Sequence, residues 1–323
     1  MKLRWNVVAP LALLVVLAGL PLFATEYMLH IGVLVLLAAY LATGWNILGG
    51  YAGQHSLGHS LFLGIGAYTS TYLFAQIGLT PWIGMWVGAL FAAIVGWFVG
   101  YLCFRYGLRG PYFALVTIAL AEAMVYLVTN LNALGGAEGL DVRWVGHNPA
   151  LMQFEGKTAY YYIILIMTAL LLFGVQRYSR RRFGYQMIAV RENEDAAEAL
   201  GVDTLAVRIR ALVISAVVTA LGGVFFAQYY TYINPRNVFG EGPSVQMLLF
   251  AIVGGLGTVW GPAIGAILLV PIAEFARSSL GNTFSGAHLL LYGVVLVLVM
   301  LFMPNGIVGL VQTLERRRRG GRA

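Results

Sequence analysis

Side chains able to do chemistry are few in this chain, and they gather in three places. The first is Gly49-Gly50-Tyr51-Ala52-Gly53-Gln54-His55-Ser56-Leu57-Gly58-His59, continuing through Phe62, Gly64, Gly66, Ala67 and Tyr68. It sets an amide, a hydroxyl and two imidazoles among glycines at the entry to an apolar run. Polar groups at membrane depth are costly and normally face a cavity or a neighbouring helix. Gln54 and Ser56 could line a path, or could satisfy backbone groups that the glycines set free. Gly58, Gly64 and Gly66 would let helices approach closely. His55 and His59 would share a helix face, as metal ligands do, but no H-E-x-x-H follows and no third ligand is near. No metal is expected.

The second place is the charged string Arg191-Glu192-Asn193-Glu194-Asp195-Ala196-Ala197-Glu198-Ala199-Leu200-Gly201. Asn193 suits an N-cap, Glu194 and Asp195 suit the positive end of a helix dipole, and Gly201 suits the C′ position. The helix so defined is too short to be stable alone in water. Its small residues Ala196, Ala197 and Ala199 fit a docking surface for another protein, or a capped linker between two spans.

The third is Gly254-Gly255-Leu256-Gly257-Thr258-Val259-Trp260-Gly261-Pro262-Ala263-Ile264-Gly265-Ala266. Both glycine motifs follow an apolar run with Gly-Gly and open the next helix with spaced glycines. Paired interruptions point to an internal repeat and a transport path, although plain helix packing explains the same residues. Glu122 lies within an apolar run and Glu274 near the end of one. Such carboxyls could carry protons, or could be neutral and hydrogen-bonded.

The elements that must position these groups follow from composition. Of 323 residues, 60% are hydrophobic and 10% charged, with a mean hydropathy of +0.80. A soluble domain carries about a quarter of its residues charged, and disorder needs still more charge, so both classes are excluded. Apolar runs occur at roughly Val7–Ala24, Met28–Leu48, Ser56–Ile77, Trp82–Phe104, Pro111–Thr129, Ala159–Gln176, Ala211–Tyr230, Val245–Leu256, Ala263–Phe275 and Ala287–Phe302. Helical spans need about 20 such residues, and only helices satisfy their own backbone in lipid. The reading is therefore all-α, a polytopic membrane protein with about ten transmembrane helices. The first run is long for a signal peptide and ends in a poor cleavage site. The one cysteine, Cys103, excludes a disulfide framework, and no G-x-x-x-x-G-K-[ST] phosphate loop is present.

Charge gives the sides. With Lys2 and Arg4 inside, the inside segments hold Arg105, Arg109, Arg177, Arg180–Arg182, Arg191, Arg208, Arg210 and Arg316–Arg319. The outside segments hold only Arg143, Lys157, Arg236 and Arg277. The net charge of +7 thus reads as orientation and not as affinity for nucleic acid.

Asp195-Ala196-Ala197-x-x-x-Gly201 resembles the EAA-x-x-x-G loop of ABC importer permeases, with Asp for the first Glu and without the usual later Pro. The longer string from Arg191 to Gly201 resembles the branched-chain amino-acid permease family, in particular its LivM-type members. The first motif is similar to that family's G-G-x-x-G-Q-x-S-L-G-H-x-x-F-x-x-x-G-A-Y, with His55 where an apolar residue is more usual. The third is similar to G-G-x-G-x-x-x-G-P-x-x-G-A, and Gly135-Gly136-x-x-Gly139-Leu140 to a T-G-G-x-x-G-L loop, with Leu134 replacing Thr.

The resemblance implies one transmembrane permease domain over residues 1–323, with an ABC importer permease fold of type II-like form. Residues 177–210 would be a cytoplasmic loop with a coupling helix, and 131–157 a periplasmic loop. Arg191, Glu192, Asn193, Glu194, Asp195, Ala196, Ala197, Glu198 and Gly201 would couple to the ATPase. Gln54, Ser56, Gly58, His59, Gly64, Gly66, Tyr68, Gly254, Gly255, Gly257, Gly261 and Pro262 would border the translocation pathway. Gly135, Gly136, Gly139 and Leu140 would face the substrate-loaded binding protein. The implied partners are a second homologous permease, two cytosolic ATPase subunits, a periplasmic substrate-binding protein and the lipid bilayer. ATP and Mg would be held by the ATPases, so this chain needs no cofactor and is not an enzyme. It would lie in the bacterial inner membrane with both termini cytoplasmic, importing leucine, isoleucine, valine or a related amino acid. Urea and short-chain amide permeases share these motifs, and an ion-coupled secondary transporter relying on Glu122 or His59 is the reading from another class.

Overall fold

The computed structural model describes residues 16–280 and, beyond them, 290, 293–294, 297–298, 301 and 306–310. The first half of the expected span Val7–Ala24 and most of Ala287–Phe302 fall outside the described residues, as do Lys2, Arg4 and Arg316–Arg319.

The described chain is a helical bundle built from α1 (Glu26–Asn46), α2 (Ser60–Ile77), α3 (Pro81–Arg105), α4 (Pro111–Thr129), α5 (Lys157–Ser179), α6 (Arg182–Glu192), α7 (Glu194–Ala199), α8 (Thr204–Tyr230), α9 (Pro235–Phe239), α10 (Glu241–Gly254) and α11 (Gly261–Leu280). Local chemistry sets the ends. Thr25 and Asp203 cap α1 and α8 through their side chains, Pro81 and Pro111 start α3 and α4, and Gly78 ends α2 in a left-handed conformation. Among the described residues, six helices are long and apolar enough to cross a membrane: Glu26–Tyr51, α3, α4, α5, α8 and Gly261–Ser278.

Helix α8 forms the centre, against α3, α2 and α1. Its Ala211, Ala216, Ala220 and Val224 are fully buried. A Cβ at Gly66 would run into the Ala220 carbonyl, so α2 and α8 lie backbone to backbone. Large apolar side chains such as Trp86, Phe98, Leu115, Leu170 and Phe173 point outward, as expected of helices that are apolar all round.

Loops and short elements gather at the two ends of the bundle. At one end Leu140–Asp141 (β1) pairs antiparallel with Tyr232–Ile233 (β2), and Trp82 donates to the Pro149 carbonyl at 3.0 Å. These two short strands are a small addition to an all-α expectation. At the other end Arg109 meets Glu194, Arg191 meets Gly50, and Asn46 meets Gly257. Gly306 lies against Gly255 at this same end.

Two expected spans differ in structure. The run beginning at Ser56 is helical only from Ser60, because residues 52–59 form a non-helical link behind a π-helical turn at Ile47–Tyr51. His55 and His59 therefore do not share a helix face. The run Val245–Leu256 belongs to a broken pair, α9 and α10, joined at Gly240. Gly254 and Gly255 thus close α10, and the interruption within this span lies upstream of the motif.

Candidate translocation and coupling sites

The link 52–59 is held inside the bundle by hydrogen bonds that replace a helical ladder. Trp45 Nε1 donates to the Ser56 carbonyl at 2.7 Å. The amides of Leu57 and Gly58 donate to Thr117 Oγ1 at 3.1 and 3.3 Å. Non-helical backbone is tolerated at membrane depth where protein covers it in this way. His59 then meets Ser215 at 2.8 Å, Nε2 to Oγ, and Ser215 donates to the Gly44 carbonyl at 2.6 Å. Ser215 lies eleven residues into α8, or ~16 Å along its axis.

At this depth the two interrupted spans touch. The Ser60 amide donates to Ser244 Oγ at 2.7 Å, Ser244 donates to Ser60 Oγ at 2.9 Å, and Ser60 donates to the Phe239 carbonyl at 2.7 Å. The first turns of α2 and α10 therefore meet in the interior. Tyr68 stacks on Phe239 with centroids 5.4 Å apart, and Gly64 is also packed on that ring. Around this meeting, Gln54 Oε1, Ser56 Oγ, His59 Nδ1 and Tyr68 Oη are buried without a hydrogen-bond partner among the described residues. Such groups are uncommon in a settled interior and mark a place for explanation. Gly58 and Gly66, by contrast, are packed against Thr117 and Ala220 backbone.

The charged loop forms a fixed platform at one end. Asn193 Oδ1 accepts from the Ala196 amide at 3.0 Å, which caps α7. Gly201 has φ +81°, its amide donates to Glu198 at 2.8 Å, and the Val202 amide donates to Ala197 at 3.0 Å. This double bond pattern is a Schellman stop. Glu194 pairs with Arg109 at 3.1 Å and with buried Arg208, whose guanidinium also lies 5.2 Å from the Phe104 ring. Ala197 is buried, whereas Asp195, Ala196, Glu198 and Ala199 are exposed and Leu200 is 85% exposed. A six-residue helix is thereby held with an apolar tip outward.

Beside the platform the two glycine motifs come together. Asn46 Oδ1 accepts from the Gly257 amide and Asn46 Nδ2 donates to the Thr258 carbonyl, each at 3.0 Å. Arg191 Nη1 donates to the Gly50 carbonyl at 2.8 Å. Gly254 abuts Gly261 and Gly265 backbone, closing the α10–α11 turn ahead of Pro262. At the opposite end Gly135, Gly136 and Gly139 all have positive φ, and Gly139 lies on the Ile233 carbonyl, so Leu140 reaches its strand partner. The residues expected to border a pathway thus divide, with Ser56, His59, Gly64 and Tyr68 in the interior and residues 254–262 beside the platform, while residues 135–140 lie at the opposite end.

Arg109, Arg208, Ser60, Ser244 and Asn46 carry this architecture and were not singled out by sequence motifs. Asn46 and Arg208 could have been noticed as strong hydrogen-bonding groups next to apolar runs. Ser60 and Ser244 carry no such signal. Glu122 sits eleven residues into α4, half-buried, and makes no ion pair among the described residues.

Comparison with known proteins places this geometry. Residues 27–303 match the family described as branched-chain amino acid transport system / permease component. The high-affinity branched-chain amino acid transport system permease protein LivM of Escherichia coli K12 is 28% identical over 335 residues, covering 96% of this chain and 76% of that protein. The probable LivM of Methanocaldococcus jannaschii is 25% identical, covering 77% of this chain and 78% of its own length. The LivH permease of E. coli K12 is 26% identical, covering 84% of this chain and 91% of its own. No solved structure gives a significant match. This chain belongs to the permease family of branched-chain amino acid transport systems and is a LivM-type member.

Proposed function

We propose that the chain is a permease subunit of an ATP-binding-cassette importer, carrying leucine, isoleucine, valine or related amino acids across the bacterial inner membrane. The single observation that carries the reading is α7. It is capped at both ends, fixed through Glu194 to Arg109 and Arg208, and presents Ala196 and Leu200 outward. A short helix needs such external fixing, and a fixed helix with an apolar tip suits a groove on a partner.

In this reading residues 1–323 form one transmembrane permease domain of about ten spans, in the type II-like importer form. Residues 177–210 are the cytoplasmic loop with the coupling helix, and 131–157 the periplasmic loop that meets the substrate-loaded binding protein. Two cytosolic ATPases bind ATP and Mg, so the chain itself catalyses no reaction. Both termini are cytoplasmic.

In this reading the second, homologous permease packs against α4. Leu115, Glu122 and Tyr126 share one face of that helix, and Leu115 and Tyr126 are more than half exposed. A carboxyl facing acyl chains is costly, so a protein neighbour on this face is the cheaper arrangement. The buried, unpaired polar groups of Gln54, Ser56 and His59 support a pathway beside the broken spans.

Uptake of labelled leucine, urea and acetamide tests the cargo, in cells stripped of their own systems and supplied with the complete transporter. Leucine uptake that disappears without this chain is expected. Uptake of urea or acetamide alone would assign it to the amide-transporting members instead.

A further inference from the structure

Arg191 separates itself from the docking face. It occupies the last turn of α6, two residues before the N-cap of α7, and its guanidinium reaches the carbonyl of buried Gly50. One side is held by Glu192, with Nε and Nη2 on the same carboxylate oxygen at 3.1 and 2.5 Å. The other side reaches the Gly50 carbonyl through Nη1 at 2.8 Å, across 141 residues of sequence. Its stem covers Gly53, where any Cβ would strike Arg191 Cγ, and a Cβ on Gly257 would strike Nη1. Gly50 itself lies against the Gly257 amide, and that amide is bonded to Asn46 Oδ1 at 3.0 Å. Three segments thus converge at one point: the π-helical end of α1, the α10–α11 turn, and the residue that leads into α7.

We propose that Arg191 is a positioning residue that links α7 to the junction of Gly50 and Gly257, and that this junction is the inner closure of the pathway. The proposal rests on the reading of α7 as the ATPase seat. Displacement of α7 is passed through the planar guanidinium, which also pairs with Glu192, to the Gly50 carbonyl. Pulling on Gly50 loosens the Asn46 clasp on Gly257 and Thr258, and that lets the ends of α1 and α10 part. The absence of a side chain at Gly50, Gly53 and Gly257 is what lets the three backbones and the guanidinium come this close.

The test uses the complete transporter in proteoliposomes, with ATP hydrolysis and leucine uptake measured on the same preparation. Arg191→Ala should keep the ATPases bound and hydrolysis within about twofold, while uptake falls at least tenfold, roughly 1.4 kcal/mol of lost coupling. Arg191→Lys, which can still donate to Gly50 but cannot bridge to Glu192 as a fork, should restore part of the uptake per ATP. Asn46→Ala should also lower uptake per ATP, with Arg191 intact. A proportional fall in hydrolysis and uptake, or unchanged uptake, in Arg191→Ala would overturn the proposal. So would loss of the ATPases from Arg191→Ala, because Arg191 would then be a docking contact. Failure of the α7 reading shows itself separately, as ATPases retained by Ala196→Asp.

Discussion

The amide of Ser60 and the hydroxyl of Ser244 are 2.7 Å apart, although 184 residues separate them in sequence. This bond joins the first turns of two helices that both begin inside the bundle. Ser244→Ala leaves the Ser60 amide buried and unpaired, at a cost of about 1–3 kcal/mol. The unfolding midpoint of the purified transporter should fall, and uptake with it. Ser244→Thr, which keeps the hydroxyl, should lose less. An unchanged midpoint in Ser244→Ala would show that this bond does not hold the broken spans together.

The face of α7 separates two neighbouring alanines. Ala196 is exposed, whereas Ala197 is 2% exposed and packs into the core. Ala196→Asp should leave a folded permease that no longer retains the ATPases on affinity purification. Ala197→Asp buries a charge and should lower the yield of folded protein itself. Equal behaviour of the two variants would contradict the orientation of α7.

Glu194 and Arg208 anchor that helix, with side chains 11% and 3% exposed. Glu194→Ala strands a buried guanidinium and should cost about 3–5 kcal/mol. Replacing both partners, with Glu194→Ala and Arg208→Met together, should recover a large part of the loss in thermal stability. Additive losses in the double variant would mean that the two residues do not act as a pair.

Glu122 distinguishes an ATP-driven importer from a proton-coupled carrier. Glu122→Gln should retain uptake within about twofold and leave it insensitive to protonophores. On the same face, Leu115→Cys should form cross-links to the second permease, while Leu90→Cys on exposed α3 should not. Abolished uptake in Glu122→Gln would favour the carrier.

Much of this arrangement was legible in the sequence because local chemistry fixes it. Asn193 and Gly201 specify both ends of α7 by side-chain capping and by left-handed backbone, and both act as their residue types require. Among the described residues, Arg109, Arg191 and Arg208 gather around Glu194 and Gly50 at one end of the bundle. What the sequence hid was long-range. The helical start at Ser60 depends on Thr117, Trp45 and Ser244, which occupy three other helices, so the apolar run looked continuous from Ser56. The break at Gly240 was hidden likewise, because α9 packs into the interior through Phe239 on Tyr68. Glycines gave the places of close approach, but not which backbone would approach.

The most direct test is accumulation of labelled leucine in proteoliposomes that hold this chain with its second permease and ATPases, supplied with the binding protein. Uptake should require hydrolysable ATP, persist when ion gradients are collapsed, and vanish with Ala196→Asp. Uptake driven by an ion gradient in the absence of ATP, or undiminished by Ala196→Asp, would contradict the account.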